Sequence, residues 1–184
     1  LINEELVKIR QLIIDVLITY SCRYQPFLTS QLLSNEKRFS DIVLKTPNPH
    51  FPRLSAIFSH LTNYPKTFSM LLSLIDQVIN RADIINEYFT LLMSVFNDSC
   101  DFDAAINACL RLLEQTNNQS SLKFVCCSFL SNIFSKKPSL IHDYSSKLFK
   151  PLLKTVFVIS NTTQQETIIN LLLLFCKDDE NCKS

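Results

Sequence analysis

Three lysines near the end of the chain have the spacing most suggestive of a binding function. Lys147, Lys150 and Lys154 are separated by three and then four positions, which places their side chains on one face of an α-helix. Lys136 and Lys137 precede them, so basic groups are concentrated in this segment. Such a row of ammonium groups can bind carboxylates of an acidic peptide or phosphates of a nucleic acid. The alternative is that the lysines only keep an outer helix face hydrated.

Acidic residues are concentrated in an earlier segment, where Arg81 is the only basic neighbour. A net charge of +1 conceals this separation of charge along the chain. An acidic surface is suited to a basic peptide, and solvation of an outer face is again the alternative. We name five of these residues the acidic rim: Asp83, Glu87, Asp98, Asp101 and Asp103.

The seven cysteines and three histidines do not suggest a metal site or a catalytic pair. No two of them have the spacing that zinc ligands usually show. The vicinal Cys126 and Cys127 are expected to point to different sides of a helix. Most cysteines lie in apolar helical runs, where a free thiol behaves as a small buried hydrophobe, and a reducing compartment is the simplest interpretation. We therefore expect no metal, no cofactor and no enzymatic activity.

The elements that must position these charges are predicted mainly by the absence of glycine. The chain contains no Gly, whereas average usage would supply about 7%. Primed hairpin turns, phosphate-binding loops and the strand-to-helix elbow of hydrolases all need glycine at fixed positions. Dinucleotide-binding, nucleotide-hydrolysing and hydrolase folds are thereby disfavoured. The fold class that remains compatible with the sequence is one of helices joined by short polar turns.

The apolar residues recur at helical spacing, which predicts an all-α fold of about ten helices and no strand. Three prolines between Thr46 and Pro52 predict an extended or turned segment, since each disfavours the helical conformation in the residue before it. We accordingly expect N-terminal helices in 1–46 and a helical stack in 47–184, as one continuous domain. The helices are expected at 3–20, 27–33, 37–44, 52–61, 65–79, 83–96, 104–113, 122–134, 145–159 and 163–175, with a further element starting at Pro138.

Several helix starts are predicted from individual residues. Pro52 and Pro65 suit the first turn of a helix, and Asp83 is expected to open another. Thr163 and Glu166 have the spacing of a capping box, in which each side chain bonds the backbone N–H of the other residue.

Residues 146–157 and 161–175 together resemble one HEAT-type unit. The likeness rests on Pro151 inside the first helix, the Leu152-Leu153-Lys154 that follows, and a polar turn before an apolar second helix. Asp101 to Phe134 resembles a second, weaker unit. The resemblance implies an α-α superhelix of the HEAT/armadillo kind and a scaffolding role. The chain has no Trp, so the Trp/Asn ladder by which armadillo import receptors hold basic peptides is not implied.

The resulting functional prediction is a non-catalytic helical-repeat scaffold or adaptor within a larger intracellular complex, nuclear or cytoplasmic. Its expected partners are acidic or basic peptide segments of other proteins. A nucleic-acid-associated helical module, with the same lysines on phosphates, is the alternative. No apolar run reaches the roughly 20 residues of a membrane span. The terminal helix, 168–176, is so apolar that we expect it to be covered by another chain or by further residues. The sequence begins at Leu1 rather than Met, which suggests a piece of a longer protein.

Overall fold

The computed structural model describes residues 33–59, 61, 63–115 and 120–178, with isolated positions before them at 5–6, 8–9, 12–13, 16 and 30–31. Over these described residues the chain is mainly helical and contains no strand. It divides into two compact units, Leu1–Asp101 and Phe102–Ser184. The helices predicted at 3–20 and 27–33 lie mostly outside the described residues. Their described positions, which include Ile9 and Leu33, are helical.

Nine α-helices are found in the described residues, five in the first unit and four in the second. A short 3-10 turn, Asn48–His50, separates the first two. The helices are α1 Glu36–Lys45, α2 Phe51–Ser59, α3 Tyr64–Ser73, α4 Ile75–Val78, α5 Ile85–Val95, α6 Phe102–Glu114, α7 Ser120–Lys136, α8 Leu140–Val158 and α9 Thr162–Asp178.

The connections between the helices need no glycine. No described residue has a positive φ angle, in agreement with a sequence that lacks the residue best suited to one. Asparagine side chains cap two helices of the first unit: the Oδ1 of Asn35 accepts from the N–H of Arg38 at 2.9 Å, and that of Asn63 accepts from the N–H of Lys66 at 3.3 Å. Pro65 occupies the first turn of α3, as predicted.

Aromatic side chains form the core of the first unit. α2 and α3 both pack against α5, and the buried Tyr88 of α5 donates its hydroxyl to the carbonyl of Leu71 at the end of α3. Phe39 of α1 stacks on Phe58 of α2 with ring centroids 5.2 Å apart. The proline-rich turn, where a boundary was expected at residue 47, therefore lies inside this unit and is bridged by a buried aromatic pair.

The second unit consists of two helix pairs, α6–α7 and α8–α9. The helices of each pair pack on each other, α6 packs on α8, α7 packs on α9, and α7 also contacts α8. α6 and α8 begin at Phe102 and Leu140, and α7 and α9 begin at Ser120 and Thr162. The core consists of apolar side chains from all four helices, with Phe134 of α7 against Phe175 of α9 at 5.4 Å.

Several helix starts differ from those predicted. α5 begins at Ile85 rather than Asp83, because Asp83 bonds Arg81 instead of capping the helix. α8 runs without interruption from Leu140 through Pro151 to Val158. The capping box predicted at Thr163 does not start α9; the helix begins at Thr162, and the Oδ1 of Asn161 accepts from the N–H of Gln164 at 3.1 Å.

Candidate protein-binding surface

The lysine stripe, Lys147, Lys150 and Lys154, lies on the outer side of α8. Leu148 and Leu152 of the same helix are fully buried, so α8 is held in the unit by its opposite side. All three lysines are exposed, and their spacing keeps them within one narrow sector of the helix. The predicted basic face is therefore present on a single, long helix.

Little within the described part of the chain neutralises this stripe. The nitrogen of Lys147 lies 5.2 Å from the ring centroid of Tyr144, a cation–π contact within the same helix. No acidic side chain among the described residues forms an ion pair with Lys150 or Lys154; the ion pairs found there join Lys45 to Asp41 and Arg81 to Asp83. The charge of the stripe therefore remains available to a ligand.

The two lysines that precede α8 are placed differently from the stripe. Lys137 is half-buried, and its ammonium lies 4.1 Å from the ring centroid of Phe102 at the start of α6. A cation held over an aromatic ring helps to stabilise the fold and is less accessible to a ligand than an exposed one. Lys136 is exposed at the last residue of α7. The five predicted basic residues thus divide into three that share one helix face and two that do not.

The acidic rim is divided between the two units, with Asp103 alone in the second. Asp83 is bonded through both oxygens to Arg81, at 2.5 and 3.2 Å. This hydrogen bonding and the guanidinium charge lower the pKa of Asp83 against a smaller opposing effect of desolvation. Arg81 also donates to the carbonyl of Leu44 at 2.6 Å. Asp83 therefore serves to hold a turn of the first unit together.

Asp103 is also engaged within the protein. The hydroxyl of Tyr144 on α8 donates to its Oδ1 at 2.7 Å. This hydrogen bond, with desolvation, raises the pKa of Tyr144 to about 12. Glu87 is half-buried on α5, and Asp98 and Asp101 are exposed in the turn after it. Two of the five rim carboxylates, those of Asp83 and Asp103, are therefore bonded within the protein.

An apolar surface lies beside the stripe. Its α9 part belongs to the terminal helix, 168–176, that was expected to need a cover, whereas its α8 part was not among the predicted site residues. Its members are large side chains that are all exposed, although aromatic and aliphatic residues at helical spacing are usually buried. The spacing of four residues within each helix is the sequence signal that identifies them as one row per helix. We name this surface the end face, and it comprises Phe149, Leu153 and Phe157 of α8 with Ile169 and Leu173 of α9.

Three buried thiols lie between α6 and α7. Cys109, Cys126 and Cys127 are all fully buried, because α7 is covered by α6, α8 and α9 on several sides. Burial, with the neighbouring Cys109 thiol, raises the pKa of Cys126 well above its usual value, and burial raises that of Cys127 to about 12. Such thiols stay protonated and inert. No group of side chains suited to a metal ion occurs within the described residues.

The described residues thus define an all-helical protein with a basic helix face and an adjoining apolar face. None of its described helices combines the length and apolar character needed to cross a membrane. No protein-family model matches the chain, and no curated protein or solved structure was found to match it.

Proposed function

We propose that this chain is a non-catalytic helical-repeat scaffold that holds a partner protein on the lysine stripe of α8, as part of a larger intracellular complex. The observation that carries the proposal is the stripe itself: exposed ammonium groups in one row, with no acidic partner for Lys150 or Lys154 in the described residues. Exposed charges of one sign favour and orient a partner of the opposite sign.

The packing of the second unit supports the helical-repeat part of this proposal. In a solenoid, each helix pair contacts only its neighbours, and corresponding helices lie side by side. The contacts of α6 with α8 and of α7 with α9 follow that order, as does the separation of about 40 residues between corresponding helices. An arrangement of this kind gives extended helix faces for binding without catalytic groups.

The partner segment is expected to be acidic and to lie along α8. The stripe extends from Lys147 to Lys154, about 10 Å of helix, which suits a short segment with two or three carboxylates. Exposed ion pairs contribute only about 0.5 kcal/mol each, so the stripe supplies orientation and selectivity together with part of the affinity.

A glutamate-rich peptide is the probe that tests this proposal. Replacing all three lysines by glutamate, K147E/K150E/K154E, is expected to weaken its binding at least tenfold, roughly, because three attractions become repulsions. The matched control is K37E/K45E/K66E, which makes the same change of charge at exposed lysines of the first unit. Fluorescence anisotropy of the labelled peptide gives the dissociation constants. Equal binding by the wild type and the stripe variant, or equal losses in both variants, contradicts the proposal.

Nucleic-acid binding by the same stripe is a second candidate, favoured by one observation. Phe149 and Phe157 are exposed on the helix that carries the lysines, and aromatic rings beside basic groups can stack with unpaired bases. A net charge of +1 makes this the weaker candidate. Binding of a single-stranded oligonucleotide must weaken steeply between about 50 and 200 mM salt if phosphates are involved. An absence of binding at low salt excludes it.

A further inference from the structure

The end face points away from the helix pair that precedes it in the second unit. On α8, the hydroxyl of Tyr144 bonds Asp103 of α6, so this side of α8 faces α6. Leu153 follows Tyr144 by nine residues and so projects about 180° from it. Phe149 and Phe157 lie one helical turn before and after Leu153, so the whole apolar row of α8 faces away from α6.

The apolar row of α9 has the corresponding orientation. Phe175 contacts Phe134 of α7 edge to face, which identifies the side of α9 that faces α7. Leu173 precedes Phe175 by two residues and so projects about 160° away from it. Ile169 lies one turn before Leu173 in the same row. Both helices of the last pair therefore turn an apolar row away from the first pair.

We infer that the end face is the docking site of a further two-helix unit, supplied by a partner, which packs on α8–α9 as α8–α9 packs on α6–α7. The inference rests on the helical-repeat part of the proposed function and names the kind of partner. Within the second unit, the side of α6–α7 that corresponds to the end face is covered by a helix pair. The same geometry, repeated once, places a helix pair on the end face.

The charge beside the end face specifies the partner further. Lys150 and Lys154 are exposed on α8 next to its apolar row, so the flank of the incoming helix that reaches them is acidic. A two-fold dimer through this face would instead bring two copies of the lysine stripe to one interface, and like charges oppose that arrangement. The occupant is therefore a helix pair with an apolar face and acidic flanks.

The probe for this inference is a synthetic two-helix peptide with leucines on one face and glutamates flanking them. The full chain is expected to bind it, and the uncharged substitutions Phe157→Gln/Leu173→Gln are expected to weaken binding more than about tenfold. The matched control, Val158→Gln/Leu174→Gln, alters neighbouring residues that are also exposed, at 52% and 38%, but project about 100° from the end face. It is expected to bind like the wild type. Circular dichroism verifies that each variant is helical.

A thiol at the edge of the end face locates the bound peptide. Cys176 is exposed and lies three residues after Leu173, on the same side of α9. Saturation with the glutamate-flanked peptide is expected to slow alkylation of Cys176 by N-ethylmaleimide several-fold, as measured by mass spectrometry of the tryptic peptide. The same peptide with lysines in place of the glutamates is expected to bind at least tenfold less tightly, roughly.

The outcomes separate this inference from the proposed function. The unstructured glutamate-rich peptide that tests the stripe is expected to bind Phe157→Gln/Leu173→Gln as it binds the wild type, since that variant retains all three lysines and adds no charge beside them. No binding of the two-helix peptide, or equal losses in the test and control variants, overturns the docking site. A dimer detected by light scattering that Phe157→Glu dissociates also overturns it, because a second copy then occupies the face.

Discussion

α7 and α9 are two helices of the same length that differ in what covers them. Both span 17 residues, and both carry apolar residues on more than one side. The large aliphatic residues of α7, such as Leu130 and Ile133, are fully buried, whereas Ile169, Leu173 and Leu174 of α9 are exposed. α7 packs on three helices of its unit, and α9 packs mainly on two. Exposure of an apolar residue here depends on the number of neighbouring helices and hardly on the local sequence.

This difference in the number of neighbouring helices also explains why sequence periodicity did not distinguish buried from exposed residues in α7 and α9. An amphipathic pattern identifies the buried side of a helix that has one covered face. α7 has apolar residues on several sides because several sides are covered. α9 has the same kind of pattern, but none of the described helices covers one of its apolar sides. That exposed side is the part of the end face that α9 contributes.

The largest expected effect is on the reactivity of thiols in the two helices. Cys126 of α7 is fully buried with a raised pKa, whereas Cys176 of α9 is exposed. Because only an accessible thiolate is alkylated, Cys126 is expected to react at least about a hundredfold more slowly than Cys176 in the folded chain. Mass spectrometry of the separated peptides gives both rates. The difference should disappear in concentrated guanidinium chloride, and similar rates in the folded chain would contradict the assigned burial.

The next largest effect is expected on the free energy of unfolding when one leucine of each helix is replaced by alanine. Leu130→Ala in α7 is expected to lower the free energy of unfolding by about 2 to 5 kcal/mol, since the side chain is 0% exposed and its removal leaves a cavity. Leu173→Ala in α9, where the side chain is 49% exposed, is expected to cost less than about 1 kcal/mol. Urea unfolding followed by circular dichroism measures both. A cost for Leu173→Ala near that of Leu130→Ala would show that the end face is already covered in the isolated protein.

Features fixed by local spacing were predicted from the sequence. The common face of Lys147, Lys150 and Lys154 follows from the helical repeat alone. The absence of positive φ angles among the described residues agrees with the lack of glycine. The start of α9 was placed wrongly at a Thr-Glu capping box, although Asn161 is near by and asparagine is a better N-cap than threonine. Comparing these two caps would have corrected the prediction.

Features that depend on distant partners were not predictable from spacing. Lys137, in the connection after α7, contacts Phe102 of α6, and Tyr144 of α8 bonds Asp103 of α6. In both pairs the partners lie far apart in sequence. Lys137 and Asp103 were assigned to candidate binding surfaces from their charge, whereas in the structure each contacts a residue of another part of the second unit. A residue's charge indicates what it can bind, but only the packing of the helices shows whether a partner within the protein already binds it.

The smallest expected effect concerns the bond between Tyr144 and Asp103, which links the covered side of α8 to α6. Tyr144→Phe is expected to lower the free energy of unfolding by about 1 kcal/mol at neutral pH, since it removes one hydrogen bond to a carboxylate. The pKa of Tyr144 is raised to about 12 from an ordinary value of about 10. The neutral phenol is thus favoured in the folded state, and its contribution is complete below pH of about 10 and lost as the pH rises towards 12.

Urea unfolding of the wild type and Tyr144→Phe across this pH range measures the contribution. The difference in stability between them is expected to be constant up to pH of about 10 and to shrink above it, because the phenylalanine variant has no proton to lose. Tyr88, whose pKa is raised by burial, titrates equally in both proteins and cancels in the comparison. A stability difference between the two proteins that does not change with pH up to 12 would show that the hydroxyl of Tyr144 does not donate a hydrogen bond to Asp103. The orientation of α8, and with it the outward direction of the end face, would then need another contact to fix it.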